Sequence, residues 1–263
     1  MEKTEQAHQM ASLYDAHCSV QCERGRTLVT NHLRPFPGQR VLDLGCGTGR
    51  LAREIGCAVG KQGSVLGVDP NAARVALAKE QEAKCSESDH RNVAFMTGLV
   101  HDAEQHGPFD AVFSNYVLHW VPEEDIDATM VGIAKCLKPG GRLCASLTGH
   151  TGHCANDLSL LTTGQTEEAV TGMHFRSLQY WTGKLTEAGL QIDYAAEDNT
   201  TAINFPTLLE YFEFVKAYSE GAVDYQNLSP KDLNDFMAKH NLGCLTSKFV
   251  WTMSSLCVVG VKP

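Results

Sequence analysis

No stretch of this 263-residue chain holds the about 18 consecutive apolar residues that a membrane-spanning helix needs. Its start, Met1-Glu-Lys-Thr-Glu-Gln, lacks the apolar core of a secretory signal. Both absences set the expectation of a cytoplasmic protein. Cations are also scarce: 22 Lys and Arg stand against 31 Asp and Glu, for a net charge of −9. Phosphate backbones are gripped by clustered Lys and Arg, which this chain does not show, so nucleic acid is not an expected partner and a small molecule is. The ten cysteines include no C-x-x-C pair and are scattered, which reads as reduced thiols rather than a disulfide framework. Internal repeats and low-complexity tracts are missing too.

What is present is an ordinary globular composition, 43% hydrophobic, enough for one α/β domain with a substantial core. From residue 40 to about 149, apolar strand candidates alternate with amphipathic helix candidates, the order of a parallel sheet covered on both faces. The strands read as 41–44, 64–68, 93–97, 111–114 and 142–147. A helix over 178–188 then precedes a short strand at 192–194. The apolar run 249–261 closes the chain as a last strand, antiparallel to its neighbour. The expected fold is therefore α/β, Rossmann-like and doubly wound, a mostly parallel seven-stranded sheet in one domain spanning 1–263. Residues 1–38 form an N-terminal helical cover, 39–149 the cofactor-binding core, and 150–263 the completion of the sheet. Segments 150–176 and 206–246 read as helical covers of a substrate pocket; within the latter, 208–217 has helical spacing and Ser229-Pro230 opens a further helix with an N-cap serine.

Residues 41–49, V-L-D-L-G-C-G-T-G, are the most informative nine in the chain. A strand runs into an acid and then three glycines two apart, a turn that brings main chain close to a ligand. A dinucleotide turn would place a third glycine where Arg50 stands, and a pyrophosphate would be repelled by Asp43. An acid inside the turn suits instead a cofactor with a cationic amino group and no phosphate, and S-adenosyl-L-methionine fits that description. Its ribose hydroxyls need an acceptor at the end of the next strand, where V-L-G-V-D ends in Asp69. The turn and Asp69, with L-K-P-G-G-R-L at 137–143, resemble the motif set of class I S-adenosylmethionine-dependent methyltransferases.

That resemblance and their positions imply as cofactor residues Tyr14, Asp43, Gly45, Cys46, Gly47, Asp69, Pro70, Gly98, Ser114 and Asn115. An acid just after the third strand, able to accept the adenine amine, is missing: Gly98 stands there, with Asp102 several residues on. The fourth strand opens into the crevice through Ser114-Asn115-Tyr116-Val117-Leu118-His119-Trp120, which departs from the Asn/Asp-Pro-Pro-Tyr element of amine-directed enzymes. The His119-Trp120 pair, Leu13-Tyr14 with Ser19 and Gln21, Gly149-His150-Thr151, and L-S-P-K-D-L at 228–233 with Lys248-Phe249 resemble the juvenile hormone acid methyltransferase-like family. That resemblance implies catalytic roles for Gln21 and Trp120, with Tyr116 and His119 binding the substrate. It implies carboxyl O-methylation of a small apolar acid of fatty or terpenoid type. A carboxylate is already ionised at pH 7, so positioning rather than a general base would drive such a transfer, with His119 adding a hydrogen bond or a positive charge. Each residue also has a plainer reading: Trp120 as core packing, His119 as a structural histidine, Gln21 as a solvent-facing helix position.

Two rival functions stand beside this one. A small-molecule N- or phenol O-methyltransferase would need His119 or Asn115 as base or acceptor, and a binding protein of the same fold would have lost the chemistry. His150, His153 and Cys154 are zinc-type ligands without a second cluster at the usual spacing, so no metal is expected. Cys18 and Cys22 stand one helical turn apart, a spacing open to soft metals or arsenite. Without further paired cysteines in the pocket segments, an arsenic-type enzyme is not the expected reading.

Overall fold

Strand β1 (Arg40–Leu44) is buried along nearly its whole length, which is what a strand covered on both faces requires. It anchors a seven-stranded sheet of order β3-β2-β1-β4-β5-β7-β6. The other strands are β2 (Ser64–Asp69), β3 (Val93–Thr97), β4 (Phe109–Asn115), β5 (Leu137–His150), β6 (Gln191–Phe205) and β7 (Phe249–Val261). The first five in chain order pair in parallel, and β7 runs antiparallel between β5 and β6. The computed structural model describes residues 2–85, 92–150 and 153–263.

Helices α3 (Arg50–Val59) and α4 (Ala72–Ala83) follow β1 and β2; α5 (Val100–Ala103) and α6 (Ile126–Cys136) follow β3 and β4. One apolar layer packs Leu42, Val112 and Leu143 against Ile133 of α6 and, from α9 (Leu178–Glu187), Trp181. The other packs Val41, Phe113 and Cys144 against Ile55 and Val59 of α3. Alternate side chains of one strand thus serve opposite layers, the period-two rule of a sheet covered on both sides. Asn71 starts α4 by accepting hydrogen bonds from the Ala73 and Arg74 amides, and Ser229 caps α11 (Pro230–Lys239) as the S-P pair foretells.

A third cluster lies beyond the parallel strands. It joins the outer halves of β6 and β7 to α10 (Leu208–Tyr218) through Phe205, Tyr211, Phe214, Phe249 and Trp251. The sixth strand departs most from expectation: it runs for 15 residues, not three. Its register against β7 shifts between Ile192 and Tyr194 and again between Asp198 and Thr201. Such bulges break the in-out alternation by which a strand is read, and the polar run Glu197-Asp198-Asn199 hides the rest. The amino-terminal helices α1 (Glu2–His17) and α2 (Ser19–Leu28), and α7 (His153–Thr163) with α8 (Glu167–Thr171), appear where helical covers are expected.

Candidate functional site

The strand order reverses between β1 and β4, so the chain leaves their carboxyl ends in opposite directions and opens a crevice there. Residues 45–49 turn from β1 into α3 with Gly45 at φ +77° and Gly47 at φ +54°, values costly for any residue with a Cβ. Asp69 holds this turn: Oδ2 accepts the Gly47 N–H at 2.9 Å and Oδ1 accepts the Asn71 N–H at 2.9 Å. Asp43 lies beneath, 2% exposed, its Oδ2 without a partner. Burial first, and then the neighbouring Asp69, push its carboxyl up to about 8. A buried carboxyl with an unpaired oxygen is what a cationic ligand group would satisfy.

Helix α1 closes one side of the crevice. Asp15 accepts from Thr48 Oγ1 at 2.5 Å and from Arg50 Nε at 2.9 Å and Nη2 at 2.9 Å. Arg50, which occupies the place of a dinucleotide turn's last glycine, therefore has its own use in clamping α1 to the loop. Tyr14 of the same helix lies under the Arg74 guanidinium, 4.2 Å from ring centre to carbon, and Arg74 in turn meets Glu220 at 3.4 Å.

The main cleft holds about 380 Å³, lined by Tyr14, Gly45, Asp69, Pro70, Asn71, Asn115 and Val117 and walled on the far side by Val170, Thr171 and Ser219. It continues beside the turn into a recess lined by Asp43, Cys46, Thr48, Cys18 and Cys22. Beyond it lies a tighter chamber of about 30 Å³, lined by His119, Thr148, Met173, Ile203, Phe214, Trp251 and Met253. In so tight a chamber an occupant larger than a few waters must displace side chains, and Met173 and Met253 are the unbranched ones able to move.

Gln21 lines all three spaces, and Tyr116, Trp120 and Tyr218 line both the cleft and the chamber. Gln21 Oε1 is buried without a partner, while its main-chain oxygen accepts from Asn115 Nδ2 at 3.0 Å. Asn115 is fixed in turn by Ser146, whose hydroxyl donates at 2.6 Å. Tyr116 sits at φ +58°, a left-handed conformation that a bulky residue keeps only where its surroundings enforce it; its amide donates to the Ser146 carbonyl at 2.9 Å and its hydroxyl pairs with Ser255 at 2.9 Å. Trp120 is half-buried at this junction rather than sunk in the core.

His119 differs from one expectation. It is 2% exposed, and burial pulls its imidazole down to about 3, so it carries no positive charge. Its Nδ1 accepts from the Thr148 amide at 3.4 Å, which places the ring proton on Nε2 as a neutral donor.

Of the sequence-predicted residues, Tyr14, Gln21, Asp43, Gly45, Cys46, Asp69, Pro70, Asn115, Tyr116, His119 and Trp120 line one of these three spaces, and Gly47 meets them through Asp69. Two predicted residues do not. Ser114 is fully buried within the sheet with its hydroxyl unpartnered, because β4 points that side chain away from the crevice. Gly98 lines none of the three spaces; its amide donates to the Asp69 carbonyl at 3.1 Å. Asp102 folds back there, accepting the Leu99 N–H at 2.8 Å, and so puts an acid at the end of β3 after all. The side chain of Ser19, and Thr151, lie outside the described residues. Arg74, Thr148 and Tyr218 went unpredicted; of these only Arg74 had a signal, standing three residues after a helix-capping asparagine that follows Asp69. Among the described residues no three His, Cys, Asp or Glu side chains gather into a metal site.

The donor set fits S-adenosylmethionine: an orphan buried carboxyl by the turn and an acid at the end of β2. Residues 41–141 match the profile of a family described as "Methyltransferase domain". The chain is 28% identical over 191 residues to trans-aconitate 2-methyltransferase of Deinococcus radiodurans, covering 72% of this chain and 68% of the relative. It is 29% identical over 229 residues to demethylmenaquinone methyltransferase of Lactococcus lactis, covering 85% and 77%. In fold it resembles phosphoethanolamine N-methyltransferase 2 of Haemonchus contortus, solved with S-adenosyl-L-methionine, at a TM-score of 0.57 and 19% identity, with 92% of this chain spanning 52% of that one.

Proposed function

We propose that this chain, a class I S-adenosylmethionine-dependent methyltransferase, esterifies the carboxylate of a small apolar acid. The observation that carries this reading is the state of His119, the one imidazole lining the chamber among the described residues. His119 has its Nδ1 occupied and is held neutral far below its ordinary range, so it does not take up a proton at pH 7. A carboxylic acid, ionised above about pH 5, asks for none. The cofactor supplies an electrophilic methyl group. The protein's part is placement: Gln21 and the Nε2–H of His119 donate to one carboxylate oxygen, Tyr116 and Trp120 hold the acyl group, and the other oxygen faces the cleft. Aligning reactants in this way accounts for roughly 7–11 kcal/mol of a barrier. The likeness to a trans-aconitate methyltransferase and the resemblance to juvenile hormone acid methyltransferases support the same acceptor class.

Incubation with labelled cofactor and a panel of fatty, terpenoid and dicarboxylic acids, with amines and phenols alongside, tests the assignment. Base-stable product from amines or phenols alone overturns it. At saturating cofactor, kcat is expected to stay flat from pH 6 to 9, since no group in the chamber titrates there; a rise with pH would mark a protonated nucleophile.

One observation favours the second reading, transfer to an amine or phenol. Tyr218 lines both spaces and donates its hydroxyl to the buried Glu167 at 2.5 Å, a pair able to pass a proton inward. Tyr218→Phe separates the two: little change in kcat follows from carboxyl transfer, a fall of about 10²-fold from transfer to a protic acceptor. Trp120→Ala is expected to lower kcat by roughly tens of fold through lost alignment, with cofactor affinity within about twofold of wild type by calorimetry. Loss of cofactor binding instead would place Trp120 on the other side of the junction.

A further inference from the structure

We propose that Cys18 and Cys22 form a dithiol site for a monosubstituted trivalent arsenical, and that filling it excludes the cofactor. Their sulfurs stand 3.6 Å apart, both side chains are buried, and both line the recess shared with Asp43, Gly45 and Gln21. Helical hydrogen bonds fix the spacing: the Cys18 amide donates to Tyr14 O at 2.8 Å and the Cys22 amide to Cys18 O at 2.9 Å.

The separation selects among the reactions open to two thiols. A disulfide needs sulfurs about 2.05 Å apart, so oxidation would have to drag the start of α2 out of shape. A centre bound through bonds of about 2.3 Å at a tetrahedral angle needs them about 3.8 Å apart, close to what the helix already presents. Zinc would want three or four protein ligands, and among the described residues no third ligand gathers here. An organic arsenical brings its own third bond and asks the protein for two. Cys22 is the more readily ionised member, held below the ordinary thiol range first by its hydrogen bond with Cys18 and, against the upward push of burial, by Arg50 and Arg26.

The reaction with phenylarsine oxide balances simply: two As–S bonds form, the As–O bonds break, and the oxygen leaves as water with both thiol protons. The filled site would put the arsenic and its phenyl group in the recess beside the turn. This half of the proposal rests on S-adenosylmethionine occupying that cleft.

The test treats the intact protein with phenylarsine oxide and reads intact mass, then S-adenosylhomocysteine binding by calorimetry. One bridged adduct is expected, removed by 2,3-dimercaptopropanol but not by glutathione, with nucleoside affinity reduced at least about tenfold and the adduct blocked by prior S-adenosylhomocysteine. Cys18→Ser and Cys22→Ser should each lose the bridge, their own nucleoside binding reporting that they are folded, whereas Cys244→Ser should keep it. No bridge on the native protein, or a bridge that survives Cys18→Ser, overturns the dithiol site. A bridge at Cys18 and Cys22 that leaves nucleoside binding unchanged overturns the exclusion and tells the failure of the cofactor placement apart from that of the thiols.

Discussion

Asp43→Asn is expected to stabilise the nucleoside-free protein at pH 8 and to weaken S-adenosylmethionine binding by about 10²-fold or more. Both effects come from one carboxyl. In the folded chain burial lifts it to about 8, against 3.8 for an ordinary aspartate. The folded state therefore holds this proton more tightly than the unfolded state does. Stability from that proton is fully present below about pH 4 and is lost as pH rises through about 8. Asparagine keeps the shape and has no proton to lose, so the gap in Tm between variant and wild type should widen from pH 5 to pH 8 and then level off. At roughly 2–4 °C per kcal/mol for a chain of this size, several degrees at pH 8 are expected. Binding runs the other way. A cationic amino group beside Asp43 requires the ionised form, so wild-type affinity should climb between pH 6 and pH 8 with release of a proton, and that climb should vanish in Asp43→Asn. Parallel pH dependences in the two proteins would show that Asp43 does not face the cation. The trade of stability for a ligand site is a familiar one: the carboxyl is costly in the empty fold and useful only when something positive arrives.

Gly45→Ala should be a severely damaging single-carbon change. Gly45 holds φ +77°, which costs a residue with a Cβ about 1–2 kcal/mol. The added carbon would also collide with Val117, whose Cγ1 stands 2.5 Å from the position it would take. Val117 has little freedom to retreat, because Tyr116 before it is pinned to Ser146 and its own carbonyl accepts the Trp120 amide at 2.8 Å. Strain and overpacking together predict a fall in Tm of roughly 5–15 °C. Cofactor affinity should fall more than about 10²-fold, since the moved residues line both the cleft and the acceptor junction. Gly47→Ala supplies the contrast: its added carbon would stand 3.4 Å from the Tyr14 ring, an ordinary contact, leaving only the conformational cost. A Gly47→Ala protein more impaired than Gly45→Ala would contradict the packing argument.

These two residues also show why one half of the molecule was legible in the sequence and the other was not. The cofactor side is written in a few consecutive positions, because a strand, a turn and the next strand end dictate Asp43, Gly45 and Asp69 by local geometry. The proposed acceptor chamber is assembled from Thr148, Met173, Ile203, Phe214, Trp251 and Met253, which come from five separate elements and loops. Each of them alone reads as core. Only the bulged pairing of β6 with β7 brings Ile203 opposite Trp251, and nothing in the 191–205 segment announces that pairing. Ser114 was hard to read for a related reason: its strand was legible, but its facing depends on the alternation along β4, which buries Ser114 in the sheet while Asn115 reaches the crevice.

The long β6–β7 ribbon is built apart from the strands that hold the turn. The family profile ends at residue 141, before either of its strands begins, and the five parallel strands that carry the nucleoside residues do not depend on the ribbon's outer half for their own pairing. Most of the wall of the proposed acceptor chamber is thus built outside the segment that matches the family profile. Substitutions that reshape the ribbon's lining of the chamber would leave the turn at Gly45 and its bond to Asp69 untouched, so acceptor fit and cofactor grip can vary separately.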